Sequence, residues 1–178
     1  MGVSGGIAAY KSCDLASRLV KEGASVTTVL TSGARKFVTP YAFEALTGQP
    51  CLTRMFRRIA PRESAFPHIE PARLAELVII APATANLIAR LAHGLADDLL
   101  SALMLTVRCP VLICPAMNVQ MWKHPATQAN TRLLRSYGYK LVGPAAGRLA
   151  CGMEGAGRMA EPAEIVEAAC KQLEARGS

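Results

Sequence analysis

Two stretches of this chain, LVIIAPA at 77–83 and PVLICPA at 110–116, carry no polar or charged side chain. A strand with one face in water alternates apolar and polar residues, whereas an unbroken apolar run of this length belongs to a strand buried on both faces. Around these runs the pattern changes to a helical one. After VSGG, the segment Ile7 to Glu22 sets Lys11, Asp14, Arg18 and Lys21 on one side and Ala9, Cys13, Ala16, Leu19 and Val20 on the other, an amphipathic helix that Gly23 ends. SVTTVLTSGA reads as a strand and turn, PYAFEALTG as a helix with a glycine stop, and ANLIARLAHG and ADDLLSALMLTV as helices. HPATQANTRLLRSYG follows as a helix, YKLVGPAA as a strand and EPAEIVEAACKQLEA as the closing helix. Apolar strands alternating with helices require a parallel sheet with right-handed crossovers, covered on both faces. The expected fold is therefore α/β: a single-domain doubly wound parallel sheet over residues 1–178, a Rossmann-like or flavodoxin-like three-layer sandwich. The strand that feeds the first glycine turn has at most Met1 to Val3, so a truncated first strand is expected.

A chain of 178 residues, 51% hydrophobic and 19% charged, is sufficient for one core. No apolar run is long and uninterrupted enough to span a bilayer, and no basic segment leads into an apolar stretch and cleavage site, so a cytoplasmic protein with no membrane partner is expected. The six cysteines, at 13, 51, 109, 114, 151 and 170, show neither CxxC pairs nor the dense spacing of a disulfide scaffold and are read as reduced thiols. The net charge of +7 comes from scattered basic residues, with no DNA- or RNA-binding motif and few aromatic rings for stacking, so no nucleic-acid partner is expected, and an anionic small molecule explains the balance equally well. No two histidines have metal-ligand spacing and HExxH does not occur, so no metal is expected.

In an open α/β sheet, ligands lie beyond the carboxyl ends of the strands. Four segments fall there: VSGGIAAYK (3–11), LTSGARKF (30–37), APATANL (81–87) and CPAMNVQMW (114–122). Three of the four are rich in small residues, which lets backbone N–H groups approach an anion just ahead of a helix, and a phosphate-bearing ligand is expected. Neither nucleotide fingerprint is met: Gly2, Gly5 and Gly6 do not make GxGxxG, and Tyr10 stands where a P-loop needs glycine before Lys11 and Ser12. On spacing alone, such a glycine turn reads equally well as tight strand-to-helix packing.

The segment AAGRLACGMEGAGRMAEP (145–162) poses a different question. Cysteine usually behaves as a small buried hydrophobe, yet Cys151 stands among Gly147, Gly152, Gly155 and Gly157, backbone that is costly to order. A flexible glycine-rich loop holding one thiol reads as a flap that closes over a ligand, with a reactive or proton-donating Cys151. Cys109 and Cys114 fall in a buried strand, Cys13 and Cys170 on apolar helix sides, and Cys51 is left undecided. Arg158, in the glycine segment, is a candidate for holding an anionic substrate, whereas Arg54, Arg57, Arg58 and Arg62 read as a solvated helical face. His93 and His124 lie next to helix ends, where capping roles are usual, and His68 by itself reads as a surface histidine at a helix entry.

Taken together, PAMNVQMW, APATAN, HIEPAR and ACGMEGAGRM resemble the motifs of the flavin-dependent cysteine decarboxylases, over residues 3–168. The likeness is in particular to the branch that acts on 4′-phosphopantothenoyl-L-cysteine in coenzyme A biosynthesis. PxMNxxMW with a downstream ACG is a specific combination; the glycine turn alone is not. The resemblance implies FMN, contacted by Gly5, Gly6 and Ile7, by Gly33, Ala34 and Arg35, and by Thr84, Ala85, Asn86 and Leu87, with Ala116 near the flavin ring. It implies His68 as the catalytic histidine, Asn118 as the group on the substrate carboxylate and Cys151 as the flap thiol, with Met117, Ala150, Gly152 and Arg158 beside the substrate. It further implies a homotrimer or a dodecamer of trimers, with the site at a subunit interface and His68 serving a neighbour's pocket. The sequence departs from the family in its short first strand, in Pro71 where an aliphatic residue is usual, and in lacking the ligase domain into which bacterial relatives often continue; only the decarboxylation step is expected of it.

The implied chemistry accounts for the residue types. A carboxylate beside an amide-bearing carbon resists losing CO2 because the carbanion has nowhere to delocalise; oxidation of the cysteine CH2–SH to a thioaldehyde, with FMN as hydride acceptor, lets the charge spread onto sulfur. A histidine titrates near the working pH, Asn118 holds a carboxylate without adding a full charge to the ground state, and Cys151 on a hinged flap returns a proton to the enethiol while excluding water. Two other readings share the fold: an oxidative decarboxylase of a C-terminal peptide cysteine, which stops at the enethiol, and a non-catalytic FMN-binding regulatory subunit. The ACG flap speaks against the first, and the ending KQLEARGS, in place of an acidic tail, against the second.

Overall fold

The computed structural model describes residues 1–55 and 69–177. The chain opens with β1 (Gly2–Val3), α1 (Ala9–Lys21), β2 (Thr28–Leu30), a 3-10 turn (Ala34–Lys36), α2 (Pro40–Thr47) and β3 (Cys51–Leu52). It continues through α3 (Glu70–Leu74), β4 (Val78–Ala83), α4 (Ala85–Ala92), α5 (Leu99–Met104), β5 (Val111–Pro115), α6 (Val119–Lys123) and α7 (Pro125–Ser136). It closes with β6 (Lys140–Leu141), β7 (Ala145–Arg148), β8 (Glu154–Arg158) and α8 (Pro162–Gly177).

Strands one to six form a wholly parallel sheet in the order β3-β2-β1-β4-β5-β6. This is the doubly wound order, with the connection reversing direction between β1 and β4. The expected α/β fold is the one observed. Because side chains alternate across a strand, the two apolar runs feed both faces. Val78, Ile80, Val111 and Ile113 join a cluster with Leu87, Ile88 and Leu91 of α4, Leu100 and Leu103 of α5 and Leu134 of α7. Ile79, Ala81, Leu112 and Cys114 join the opposite cluster with Leu15 and Leu19 of α1 and Ile165 and Ala169 of α8. Each fully buried Leu or Ile contributes about 1.5–3 kcal/mol, so these two strands carry much of the core. Among the described residues, no helix is long and apolar enough to cross a membrane.

Local departures from the sequence reading have simple causes. The first strand is only two residues long, yet it pairs with β2 on one side and β4 on the other, which holds it centrally in the sheet. Residues 139–146 do not form one strand: β6 ends at Leu141, and Ala145 begins a separate two-stranded antiparallel sheet. That second sheet corrects the reading of 145–158 as a loop. Ala145 pairs with Arg158, Ala146 with Ala156, Gly147 with Gly155 and Arg148 with Glu154, a hairpin rather than irregular chain. On α1, Ser12 and Leu15 are buried while Cys13 is only half-buried, a small rotation of the expected apolar face.

Candidate active site

At the switch point, the ends of β1 and β4 are laced together by one hydroxyl. Ser4, 2% exposed, donates through Oγ to the Pro82 carbonyl at 2.7 Å and accepts the Thr84 N–H at 3.0 Å. Thr84 in turn caps α4, its Oγ1 accepting the Leu87 N–H at 3.3 Å. Opposite, the glycine turn after β1 meets the turn after β2: a Cβ on Gly5 would stand 2.6 Å from the Gly33 carbonyl carbon. Only bare backbone fits at that approach. These turns form one end of a cavity of about 1100 Å³ that runs on to the β5–α6 connection and the hairpin.

Asn118 and the hairpin close the other end. Asn118 caps α6 with its Oδ1, which accepts the Gln120 N–H at 2.8 Å. With the oxygen engaged by backbone, the amide NH2 turns to the hairpin, where Nδ2 lies 3.3 Å from Cys151 Sγ and 3.2 Å from Met153 Sδ. Cys151 sits in the hairpin tip, exposed to solvent, and the tip is closed by Leu149 N–H to Met153 O and Gly152 N–H to Leu149 O, at 2.8 and 2.9 Å. The root of the hairpin is joined to the β5–α6 connection through main chain: Met117 N–H donates to Gly157 O at 2.9 Å. A Cβ on Gly157 would come 2.4 Å from the Met117 carbonyl oxygen, so this approach too requires glycine.

Charges gather on the cavity wall. Arg90 pairs with Asp97, and with Asp98 at 3.4 Å, and Asp98 also caps α5 through the Ser101 N–H. Lys11 of α1 and Arg158 of β8 both reach Glu161, just ahead of α8. The hydrogen bond from Lys11, with the charges of Lys11 and Arg158, holds the Glu161 carboxyl below the usual carboxylate range.

Of the residues singled out from sequence, Gly5, Gly6, Ile7, Gly33, Thr84, Ala85, Asn86, Leu87, Ala116, Met117, Asn118, Ala150, Cys151 and Arg158 all line this single cavity. Ala34, Arg35 and Gly152 do not: the 3-10 turn directs Ala34 into the core and leaves Arg35 exposed, and Gly152 is exposed at the hairpin tip. His68 lies outside the described residues. His93 and His124 are cap residues, His124 Nδ1 accepting the Ala126 N–H at 3.2 Å. Ser4 and Lys11 lie in the 3–11 segment expected at the ligand but carry no role of their own in the sequence, and Arg90 and the Asp97–Asp98 pair on the wall fall outside every expected segment. The Asp98 and Ser101 spacing was the one available signal, since a helix cap fixes where α5 starts.

A doubly wound sheet with glycine turns meeting at its switch point, and a thiol brought to the same cavity by a hairpin, defines an α/β protein with room for a cofactor-sized ligand beside an exposed thiol. The chain belongs to the Flavoprotein family, whose pattern it matches over residues 1–174. It is 49% identical over 166 residues to the coenzyme A biosynthesis bifunctional protein CoaBC of Vibrio cholerae, covering 93% of this chain and 41% of that protein. It is 47% identical to the CoaBC protein of Bacillus subtilis, over 96% of this chain and 42% of that one. The chain thus spans about two fifths of the length of these curated relatives. Among solved structures, it is similar to a cysteine-to-serine mutant of PPC decarboxylase complexed with pantothenoylaminoethenethiol, with a TM-score of 0.84 and 30% identity over 97% of this chain and 96% of that one. It is also similar to the FMN-dependent cysteine decarboxylase SpaF, with a TM-score of 0.83 and 31% identity over 99% and 95% of the two chains.

Proposed function

We propose that the chain binds FMN in this cavity and converts 4′-phosphopantothenoyl-L-cysteine to 4′-phosphopantetheine, the decarboxylation step of coenzyme A biosynthesis. The observation that carries the reading is the Asn118–Cys151 contact of 3.3 Å inside a cavity whose far end is a cradle of backbone. The relatives named for coenzyme A biosynthesis, and the similar PPC decarboxylase with a bound enethiol, support it.

The residues present fit the cofactor. The bare approach of Gly5 to Gly33 leaves main-chain N–H groups open to a phosphate, and the Thr84-capped start of α4 adds its own at Ala85 and Asn86. Gly6, Ile7 and Leu87 complete that end, and Ala116 offers a small residue where a flat ring system would pass. When bound, FMN supplies a reversible hydride acceptor for the cysteine CH2–SH, so that CO2 can leave and the overall reaction stays redox-neutral. Asn118 binds the substrate carboxylate through Nδ2, exchanging its sulfur contacts for oxygen ones. Cys151, released from the amide by that exchange, donates its proton to carbon of the enethiol that remains after CO2 loss. The hairpin over the site excludes water during the transfer. In this reading His68 is the histidine that moves the substrate's proton, and Met117, Ala150 and Arg158 line the substrate's path.

We read the chain as one domain over residues 1–178, working in the cytoplasm with its described cysteines as free thiols. Ile7 and Tyr10, 62% and 61% exposed, lie on the cavity's open side. Two large apolar groups at a site entrance support assembly into a homotrimer, or a dodecamer of trimers, in which a second copy completes the site.

The test is turnover by the FMN-loaded protein. The parent should release CO2 and form 4′-phosphopantetheine, and a peptide ending in cysteine should not be turned over. Cys151→Ser should still release CO2 but stop at the enethiol, losing at least a hundredfold in final product. Undiminished 4′-phosphopantetheine from that variant, or full-rate CO2 release by protein stripped of flavin, overturns the reading.

A further inference from the structure

Glu161 is not part of the cavity wall, yet two of the wall's cations converge on it. Lys11 Nζ lies 2.7 Å from Oε1 and 2.9 Å from Oε2, and Arg158 Nη2 donates to Oε1 at 2.9 Å. The carboxylate is fixed on rigid structure: the Glu161 N–H donates to Glu164 Oε2 at 3.0 Å, and its carbonyl accepts the Ile165 N–H of α8 at 3.1 Å. The groups it holds belong elsewhere, Lys11 to α1 and Arg158 to the hairpin. The Lys11 side chain is 17% exposed, so its ammonium is drawn along the protein surface toward the carboxylate rather than left in solvent. Arg158 is confined from its other side, where a Cβ on Gly147 would come within 2.9 Å of Nη1.

Glu161 itself is 48% exposed, and ion pairs of that exposure contribute little to folding. Their effect here is on geometry. Two cations from different elements repel each other, and a carboxylate shared between them holds both on one side of the cavity, where one anionic group of a ligand can meet both. Arg90 differs in that its partners Asp97 and Asp98 themselves line the cavity, whereas Glu161 does not. We infer that Glu161 is a positioning residue that orients Lys11 and Arg158 toward the anionic end of the ligand, and so sets substrate affinity without touching the reacting atoms. This rests on the function proposed above.

The experiment compares the FMN-loaded parent with Glu161→Gln, Arg158→Gln and the double variant. Glu161→Gln keeps the shape and removes the charge; it should raise KM for 4′-phosphopantothenoyl-L-cysteine about five- to twentyfold and leave kcat within about twofold. The double variant should raise KM by less than the product of the two single effects, because both act through one contact. Glu161→Asp, which keeps the charge, should fall between parent and Glu161→Gln. A KM within twofold of the parent, or a kcat that falls as far as KM rises, overturns the inference. If the parent itself does not turn over, the functional reading fails, and hydrogen exchange then decides the positioning role. Amides of residues 145–158 should exchange at least threefold faster in Glu161→Gln than in the parent, with those of α8 unchanged, and equal exchange in the hairpin overturns it.

Discussion

The strands β4 and β5 and the hairpin β7–β8 are all extended chain, yet they are stabilised in opposite ways. All six residues of β4 and all five of β5 are buried, whereas β7 alternates half-buried with exposed positions and β8 buries only Gly157. The central strands are held by apolar side chains on both faces. The hairpin is held by main-chain hydrogen bonds and by the close fit of its glycines against Met117 and Val119. Labour is divided between them: burial makes a scaffold that fixes the cavity's far end, and a weakly buried element, of the kind that opens locally at the least cost, carries the thiol.

The division can be broken by substitution. Ile113→Ala, in the middle of β5 with no exposure, should cost about 2–5 kcal/mol in urea unfolding, because the packed layers around it can collapse only partly. A loss below about 1 kcal/mol would mean that the sheet is not where the stability lies. Gly157→Ala should cost less, about 1–3 kcal/mol, since its Cβ must push the Met117 carbonyl from 2.4 Å. Its larger consequence should be in turnover, because the push moves Asn118 with Met117. The smallest stability effect belongs to the cysteines. Cys151→Ser should change stability by no more than about 0.5 kcal/mol, as expected of an exposed side chain. In the folded protein iodoacetamide should label Cys151 well before Cys114, whose thiol burial pushes far above the ordinary range. Prompt labelling of Cys114 in peptide mapping would erase the contrast.

The same contrast explains what could be read beforehand. β4 and β5 were legible because burial on both faces suppresses polar residues along the whole run. The hairpin was not, because a period of two is recorded by side chains, and Gly147 and Gly155, paired in register, record nothing. β3 has only two half-buried residues and leaves no pattern either. In the site, Asn118 and Cys151 were legible through motifs, although 33 residues separate them. Lys11 falls within the 3–11 segment expected at the ligand, but its pairing with Glu161 leaves no pattern, since helical spacing reports neighbours three or four residues away and Glu161 is 150 residues on. Ala34 and Arg35 stand off the cavity for a local reason: the chain after Gly33 tightens into a 3-10 turn that buries Ala34 and leaves Arg35 exposed.

One hydrogen bond has a consequence for how such proteins diversify. The hairpin's root is fastened by Met117 N–H to Gly157 O, a link that every non-proline residue at position 117 can supply. At the tip, Cys151 and Met153 are tied to Asn118 through their sulfurs, while Leu149 and Ala150 line the cavity without such a tie to Asn118. Selection can therefore vary positions 149 and 150 one amino acid at a time, retuning which molecules are admitted, while inheritance of the fastening asks only for a bare Gly157 and any residue but proline at 117.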